Sequence, residues 1–295
     1  MNGDMREEQT PVNRAVELMM QAQIDRRLVL LVEGISDFRL FNRFLAAERW
    51  ELEYLEGKDN LAECARTLSE MGLTNFRVLT DRDPLDPLEI RGAVYTTFAD
   101  MEADLLALEG LLERVLLSSA SRRPDEQLRR CQADSWPELV HALVSPWTAL
   151  RVASKQQRLE LPLKDFPINS LASQKTATVS VSAVAKEAAR RSRGQLTEEE
   201  ARELIESLSA TDLERVHNGH HLTGAIAWIT SEMLDSSKIS RDRVEERLRA
   251  AVDLNGLLLL ASIQDLDSWA HRHRKCMWKS GHCPRCMVES SPTAA

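Results

Sequence analysis

The sequence predicts an α/β protein: a mainly parallel sheet flanked by helices, then a mostly helical region and a small C-terminal tail rich in Cys and His. Apolar strand patterns alternate with helical patterns up to about residue 120, which is typical of βαβ units. Beyond that point helical patterns dominate, and three of the five cysteines fall in the last twenty residues. The predicted parts are an N-terminal helix at 1–26, an α/β domain at 27–120, a helical region at 121–268 and a tail at 269–295.

The α/β part begins with a Val/Leu run at 28–32, and a continuous apolar run suits a strand buried on both faces of a parallel sheet. Gly34 allows a sharp turn after it, and Ser36 is predicted to cap a helix at 37–49 with a wide apolar stripe. The other predicted elements are a helix at 11–25, strands at 50–55, 76–83 and 90–98, and helices at 61–71 and 101–117.

The helical region follows a polar stretch at 118–125. The capping box that begins at Thr197 starts one of its helices, and two prolines mark a loop at 161–167. Isolated tryptophans in these patterns are predicted to be core residues rather than platforms for stacked bases. The predicted helices are 129–144, 147–158, 183–193, 197–208, 221–234 and 244–260.

Composition excludes some classes of protein. The 295 residues include 38 Lys and Arg against 46 Asp and Glu, a formal net charge of −8. Such a chain does not coat nucleic acid over its whole surface, so any contact with nucleic acid must come from local basic patches. The sequence shows no membrane-spanning run, no signal pattern and no disulfide framework. We therefore expect no membrane association and a cytoplasmic location.

Carboxylates follow two of the predicted strands. Glu33 closes the first strand, Asp37 lies in the first turn of the next helix, and Asp81 and Asp83 close the third strand. Open α/β sheets place their ligands at the carboxyl ends of strands, and carboxylate oxygens are the ligands of hard divalent cations. A bound Mg²⁺ or Mn²⁺ could then activate water for phosphoryl transfer. The alternative is an exposed strand end and a turn before Pro84, but the order of elements favours the metal site.

The stretches Val32-Glu33-Gly34-Ile-Ser-Asp37 and Asp81-Arg-Asp83 resemble the toprim domain, the metal-binding core of topoisomerases, bacterial primases and the overcoming-lysogenization-defect nucleases. Three further stretches resemble a toprim branch of uncharacterised domains whose members accompany an ABC-type ATPase in phage defence. They are Gly57-Lys-Asp-Asn60, Ala99-Asp100-Met-Glu102 and Asn218-Gly219-His220. The toprim resemblance covers about residues 27–119, and the branch signals extend to about residue 230.

The resemblance adds candidate residues beyond Glu33, Asp81 and Asp83. It implies that Glu102 is a further metal ligand, although acids at a helix start such as Asp100 and Glu102 are also explained by the helix macrodipole. Lys58 can neutralise a phosphate, but a solvated turn lysine is the favoured interpretation. His220 can contact a phosphate or transfer a proton, or its stretch can simply start the next helix.

The C-terminal tail contains His273-Arg-Lys-Cys276 and Cys283-Pro-Arg-Cys286. Two-residue gaps let paired ligands hold one tetrahedral zinc, so a structural, zinc-knuckle-like site is predicted at these four residues. His271 and His282 can take the place of the first histidine. The alternative is three surface thiols in a loose tail, which is uncommon because exposed cysteines are reactive.

Two functions follow from the resemblance. The first is a Mg²⁺- or Mn²⁺-dependent endonuclease for RNA, including tRNA, or for DNA, which acts as the toxic effector of a defence system and is controlled by a partner ABC-type ATPase. The second is a non-catalytic toprim-fold binding module in a defence complex. Homodimerisation is a further expectation. The chain lacks a Walker A pattern, so ATP hydrolysis is not expected, and two tyrosines with no primase-like companion disfavour a topoisomerase or primase.

Overall fold

The computed structural model describes residues 10–118, 120, 123–159, 161–208, 213–234 and 238–279. The described chain forms two compact units, each discontinuous in sequence. The first unit takes in residues 10–81, 88–96 and 254–279, and the second takes in 82–87 and 97–253 with the gaps just given. The predicted parts, in contrast, follow the order of the chain.

The strands and helices are numbered in chain order. The strands are β1 (Leu28–Val32), β2 (Trp50–Tyr54), β3 (Phe76–Thr80), β4 (Ala93–Tyr95), β5 (Ala172–Ser173) and β6 (Thr178–Val179). The helices are α1 (Pro11–Asp25), α2 (Ile35–Asn42), α3 (Lys58–Glu70), α4 (Met101–Leu106), α5 (Leu111–Leu117), α6 (Pro124–Arg130), α7 (Trp136–Gln156), α8 (Ile168–Leu171), α9 (Val181–Arg191), α10 (Glu198–Glu206), α11 (Gly219–Ile229), α12 (Arg241–Ala251), α13 (Leu254–Leu257) and α14 (Ala261–Arg272). No helix in the described part of the chain has the length and apolar character of a membrane span.

The first unit is built on a four-stranded sheet in the order β2-β1-β3-β4, and every pairing is parallel. Its central strand β1 is buried along all five residues, as the continuous apolar run predicts. The α/β class and the parallel sheet are therefore confirmed.

Helices cover both faces of this sheet. Val29 and Leu31 pack with residues of α1 and α3 in one apolar cluster. Because side chains alternate along a strand, Trp50 and Tyr54 face the other way. There the Trp50 ring meets Trp269 of α14 with centroids 5.8 Å apart, and Tyr54 meets Phe38 of α2 at 5.4 Å.

Several predicted boundaries in the α/β part are wrong; α2 ends at Asn42 and not at residue 49, and β3 ends at Thr80 and not at residue 83. α2 begins directly after Gly34 and not behind a Ser36 cap, since the Phe38 N–H donates to the Gly34 carbonyl at 3.0 Å. The fourth strand is short because the Tyr95 hydroxyl binds the backbone of Leu88 and Ile90 and holds that segment as a loop. The predicted helix at 101–117 is two helices, separated at Gly110, which adopts the left-handed φ of 71°.

The second unit is mostly helical, as predicted, and α7 runs through its core. α7 is one helix that continues past Pro146, where two helices were predicted. Trp147 is fully buried, and its indole N–H donates to the Leu163 carbonyl at 3.2 Å. Trp136 and Trp228 are also buried, which confirms their prediction as core residues. The sequence did not predict the short antiparallel pair β5-β6.

Candidate functional site

Two of the predicted acidic residues follow the ends of neighbouring strands. β1 and β3 are paired neighbours, and Val32 lies opposite Leu79 in their register. Glu33 therefore follows the end of one strand, and Asp81 follows the end of the adjacent strand at the same edge. This is the carboxyl edge of a parallel sheet, where open α/β proteins place their ligands.

The turn between β2 and α3 is bonded to both strand ends. The Gly57 N–H donates to the Glu33 carbonyl at 3.3 Å, and the Lys58 ammonium donates to the Asp81 carbonyl at 3.0 Å. Gly57 adopts a φ of 113°, a conformation that is strained for other residues. Lys58 is half-buried and bonded, so the interpretation as a solvated turn lysine is wrong.

The third acidic residue at this edge is Asp37, in the first turn of α2. Only Gly34 separates Glu33 from the start of α2, so the first turn of α2 lies next to the end of β1. Glu33, Asp37 and Asp81 are each half-buried. We call these three carboxylates, together with Lys58, the acidic edge of the first unit.

Asp83, a predicted metal ligand, belongs to the second unit. Its N–H donates to the Ala99 carbonyl at 3.0 Å, and its own carbonyl accepts from the Asp86 N–H at 2.8 Å. Asp83 has a φ of 48°, in the left-handed region that aspartate tolerates better than most residues. Its backbone thus forms the turn that was predicted before Pro84.

Asp100 and Asn218-Gly219-His220, far apart in sequence, meet in the second unit. Asp100 caps α4 by accepting the Ala103 N–H at 2.9 Å, and its other oxygen accepts the Gly219 N–H at 2.6 Å. Burial, with the nearby charge of Glu102, raises the pKa of Asp100 to about 7 against these two bonds. Asn218 caps α11, which confirms that this stretch starts a helix.

The other predicted residues of this unit form ion pairs. Glu102 is buried and ion-paired with Arg249 of α12. His220 is hydrogen-bonded through Nδ1 to Glu245 at 2.8 Å, and the same carboxylate oxygen accepts the Thr223 hydroxyl at 3.0 Å. The buried charge of Glu102 is therefore balanced within the protein.

We predict that the His220–Glu245 pair stabilises the second unit most at mildly acidic pH. The hydrogen bond to Glu245 raises the pKa of His220 above its ordinary value of about 6.5. The contribution of the pair to stability is therefore complete below about pH 6.5, and it is lost as the pH rises through the pKa of His220 in the folded protein. Because the imidazole is half-exposed, His220→Gln should lower the free energy of unfolding by at most about 1 kcal/mol at pH 6. Denaturant titrations at pH 6 and pH 9 measure this difference, and an equal loss at both would contradict it. In a Glu245→Gln background the pH dependence should disappear.

The predicted zinc ligands are described only in part. The His273 ring packs on Trp269 with centroids 4.6 Å apart, and Cys276 is buried, with Sγ donating to the Trp278 carbonyl at 3.7 Å. Residues 276–279 are bonded to the rest of the first unit, with the Ala46 N–H donating to the Met277 carbonyl at 3.0 Å. Cys276 is thus not a surface thiol in a loose tail. Cys283 and Cys286 lie outside the described residues.

Zinc binding by the tail stays a prediction. We expect purified protein to carry about one zinc per chain, held by the three tail cysteines and a histidine. Cys283→Ser should remove most of the zinc and loosen the C-terminus without direct loss of chemistry at the acidic edge. Elemental analysis of both proteins, prepared without chelator, measures the zinc content. Zinc-free wild-type protein would contradict the prediction.

No group of three or more His, Cys, Asp or Glu residues in the described part of the chain is placed to hold a metal ion. No protein-family model matches the sequence, and no curated protein matches it. Any function of the acidic edge is therefore supported by its own geometry and chemistry alone.

The sequence did not predict the residues that form the hydrogen bonds and ion pairs with the polar residues of the second unit. Arg249 and Glu245 lie one turn apart on α12, but nothing in the sequence connects them to Glu102 or His220. Gly219 is one of these residues, because a Cβ built on it would lie 2.0 Å from an oxygen of Asp100. Its lack of a side chain was the available signal, since glycine often marks a close approach.

Proposed function

We propose that the protein is a metal-dependent nuclease whose catalytic site is the acidic edge. The observation that carries this proposal is the bonding of the Gly57-Lys58 turn to the ends of both β1 and β3, next to Glu33 and Asp81. Two carboxylates and one ammonium on the rim of a parallel sheet form a charge pattern suited to a cation and a phosphate.

Carboxylate oxygens suit Mg²⁺ or Mn²⁺, so the chemistry of the acidic edge fits this cofactor. Glu33 and Asp81 would hold the ion, which when bound polarises phosphoryl oxygens and activates water. The proposal rests on the positions of the two strand ends and not on a preformed cage. The predicted ligands Asp83 and Glu102, which lie in the second unit, stay predictions.

The remaining residues of the acidic edge have distinct proposed roles. Lys58 places a positive charge beside Asp81, where it can neutralise a phosphate oxygen and orient the scissile group. Asp37 can accept a proton from the attacking water at a carboxylate oxygen. Both roles are served from rigid elements, because Lys58 begins α3 and Asp37 lies in the first turn of α2.

A substrate screen tests the proposal. Labelled tRNA, single-stranded RNA, single-stranded DNA and duplex DNA are incubated with purified protein in Mg²⁺, in Mn²⁺ and in EDTA. We expect cleavage of at least one pool with a divalent cation and none in EDTA. Cleavage that persists in EDTA would contradict a metal-dependent mechanism.

We further propose that the nuclease acts in the cytoplasm as the toxic effector of an anti-phage defence system, restrained by a partner ABC-type ATPase and able to form a homodimer. The support is the resemblance to the ATPase-associated toprim branch, which is carried by the stretches Gly57-Lys-Asp-Asn60, Ala99-Asp100-Met-Glu102 and Asn218-Gly219-His220. Expression alone and together with an ATPase encoded beside it tests this idea through toxicity and gel filtration. No complex and no change in toxicity would contradict it.

A non-catalytic binding module is the second candidate. The observation that favours it is that two candidate acids of the second unit already have protein partners. Glu102 pairs with Arg249, and Asp100 accepts two backbone N–H groups. Such acids serve structure without any metal. Metal-dependent cleavage that is lost on substitution of Glu33 distinguishes the nuclease from this module.

A further inference from the structure

The second unit contains a cavity of about 940 Å³ beside α11 and α12. Its volume lies within the range of small-molecule sites. A second cavity of about 520 Å³ shares two of its wall residues, Arg151 and Lys164. A ligand in either cavity would therefore lie beside these two basic residues.

The walls of the two cavities are rich in basic side chains. They are Arg151, Lys155, Arg158, Lys164, Lys238 and Arg241. Several acidic wall residues are already paired: Asp86 with Lys155 at 3.1 Å, Glu232 with Gln174 at 2.6 Å and Asp242 with Arg241 at 3.3 Å.

Asp83 and Asp165 also lie in the wall, and the charges of Asp83 and Asp100 act on Arg151, but among the described residues the remaining basic groups are not ion-paired in this way. In the described part of the chain, neither Lys164 nor Lys238 forms an ion pair. Arg151 has a buried Nη1 without a hydrogen-bond partner. A buried donor left unbonded is unfavourable, so an acceptor such as a phosphate oxygen would stabilise this site.

The larger cavity also has an aromatic wall. The centroid of the Phe166 ring lies 5.7 Å from that of Trp147 and 5.7 Å from that of His221. His221 is only 5% exposed, and its Nε2 is bonded to the Lys164 carbonyl at 2.9 Å. Its Nδ1 is buried without a partner. An aromatic ring can stack on a nucleobase, and the nearby cations can bind a phosphate joined to that base.

From these features we infer that the second unit binds a nucleobase joined to phosphate, with the phosphate at Arg151, Lys164 and Lys238 and the base against Phe166. The ligand is a free nucleotide or a segment of single-stranded nucleic acid. The inference rests on the proposed nuclease function only where it names nucleic acid as a source of the ligand. Binding is measured in EDTA, where cleavage is not expected, so either idea can fail without the other.

Fluorescence anisotropy of a labelled 12-nucleotide RNA and DNA strand, with full-length protein in EDTA, tests the site. Lys164→Gln combined with Lys238→Gln should weaken binding about tenfold at 0.1 M salt. In a plot of the logarithm of the binding constant against the logarithm of the salt concentration, the slope should become shallower by roughly 1.4. Phe166→Leu should weaken binding about fivefold or more and leave that slope unchanged. Unlabelled nucleoside monophosphates and unlabelled strands then compete with the probe.

The matched control is Lys186→Gln combined with Arg215→Gln, which removes the same charge from exposed residues of the second unit outside both cavities. Binding by this control should equal that of wild type. Competition by monophosphates identifies a free nucleotide as the ligand, and competition by strands alone identifies nucleic acid. Equal loss in the control and the test variants, or no binding and no competition with wild-type protein, would overturn the inference. Thermal melts confirm that each variant is folded.

Discussion

Glu33→Gln is expected to reduce cleavage at least about 100-fold while changing the free energy of unfolding by no more than about 0.5 kcal/mol. A bound metal supplies several kcal/mol of transition-state stabilisation, and each 1.4 kcal/mol corresponds to about a factor of ten in rate. The amide keeps the shape of the half-buried side chain but removes its charge. Asp81→Asn should behave in the same way, because Asp81 follows the neighbouring strand.

Glu70→Gln is the matched control for Glu33→Gln. Glu70 is the last residue of α3, the helix that begins at Lys58, so it lies about 18 Å along the helix from the acidic edge. Its exposed ion pair with Arg66 contributes little to stability. The control should cleave like wild type. Full activity of Glu33→Gln, or an equal loss in Glu70→Gln, would show that the acidic edge is not the catalytic site.

Gly219→Ala is expected to lower the free energy of unfolding by about 3 kcal/mol, a large effect for one methyl group. The added Cβ would lie 2.0 Å from Asp100 Oδ1 and 2.6 Å from the Cβ of Glu102. Asp100 is buried and bonded to the Gly219 N–H, so it cannot move aside without breaking that bond and the α4 cap. Denaturant titration of the purified variant measures the loss.

Gly224→Ala is a control on the same helix. A Cβ at Gly224 meets nothing within 4 Å, and alanine is favoured over glycine inside a helix by up to about 1 kcal/mol. This variant should therefore be as stable as wild type or more stable. If Gly219→Ala were equally harmless, the contact between Asp100 and the start of α11 would not stabilise the second unit.

The sheet and its acidic strand ends could be predicted because their signals are local. The apolar run of β1 is continuous, and Glu33 and Asp81 directly follow strand patterns. Their neighbouring positions then follow from the parallel order of β1 and β3. The start of β4 was less predictable, since the Tyr95 hydroxyl binds the backbone of Leu88 and Ile90 and holds that segment as a loop.

The polar network of the second unit could not be predicted, because its partners are distant in the chain. Glu102 and Arg249 are 147 positions apart, and Asp100 and Gly219 are 119 apart. No periodicity or cap signal relates residues at such distances. The basic and aromatic cavity walls likewise combine residues from separate helices and loops.

Binding of Mn²⁺ by the purified protein is the most direct test of a metal site at the acidic edge. Electron paramagnetic resonance of free Mn²⁺ counts the ions bound by wild-type protein, Glu33→Gln and Glu70→Gln, without any need for the correct substrate. We expect at least about one bound ion for wild type and for Glu70→Gln, displaced by excess Mg²⁺, and clearly weaker binding for Glu33→Gln. Equal Mn²⁺ binding by all three proteins, or none by wild type, would contradict a metal site at the acidic edge.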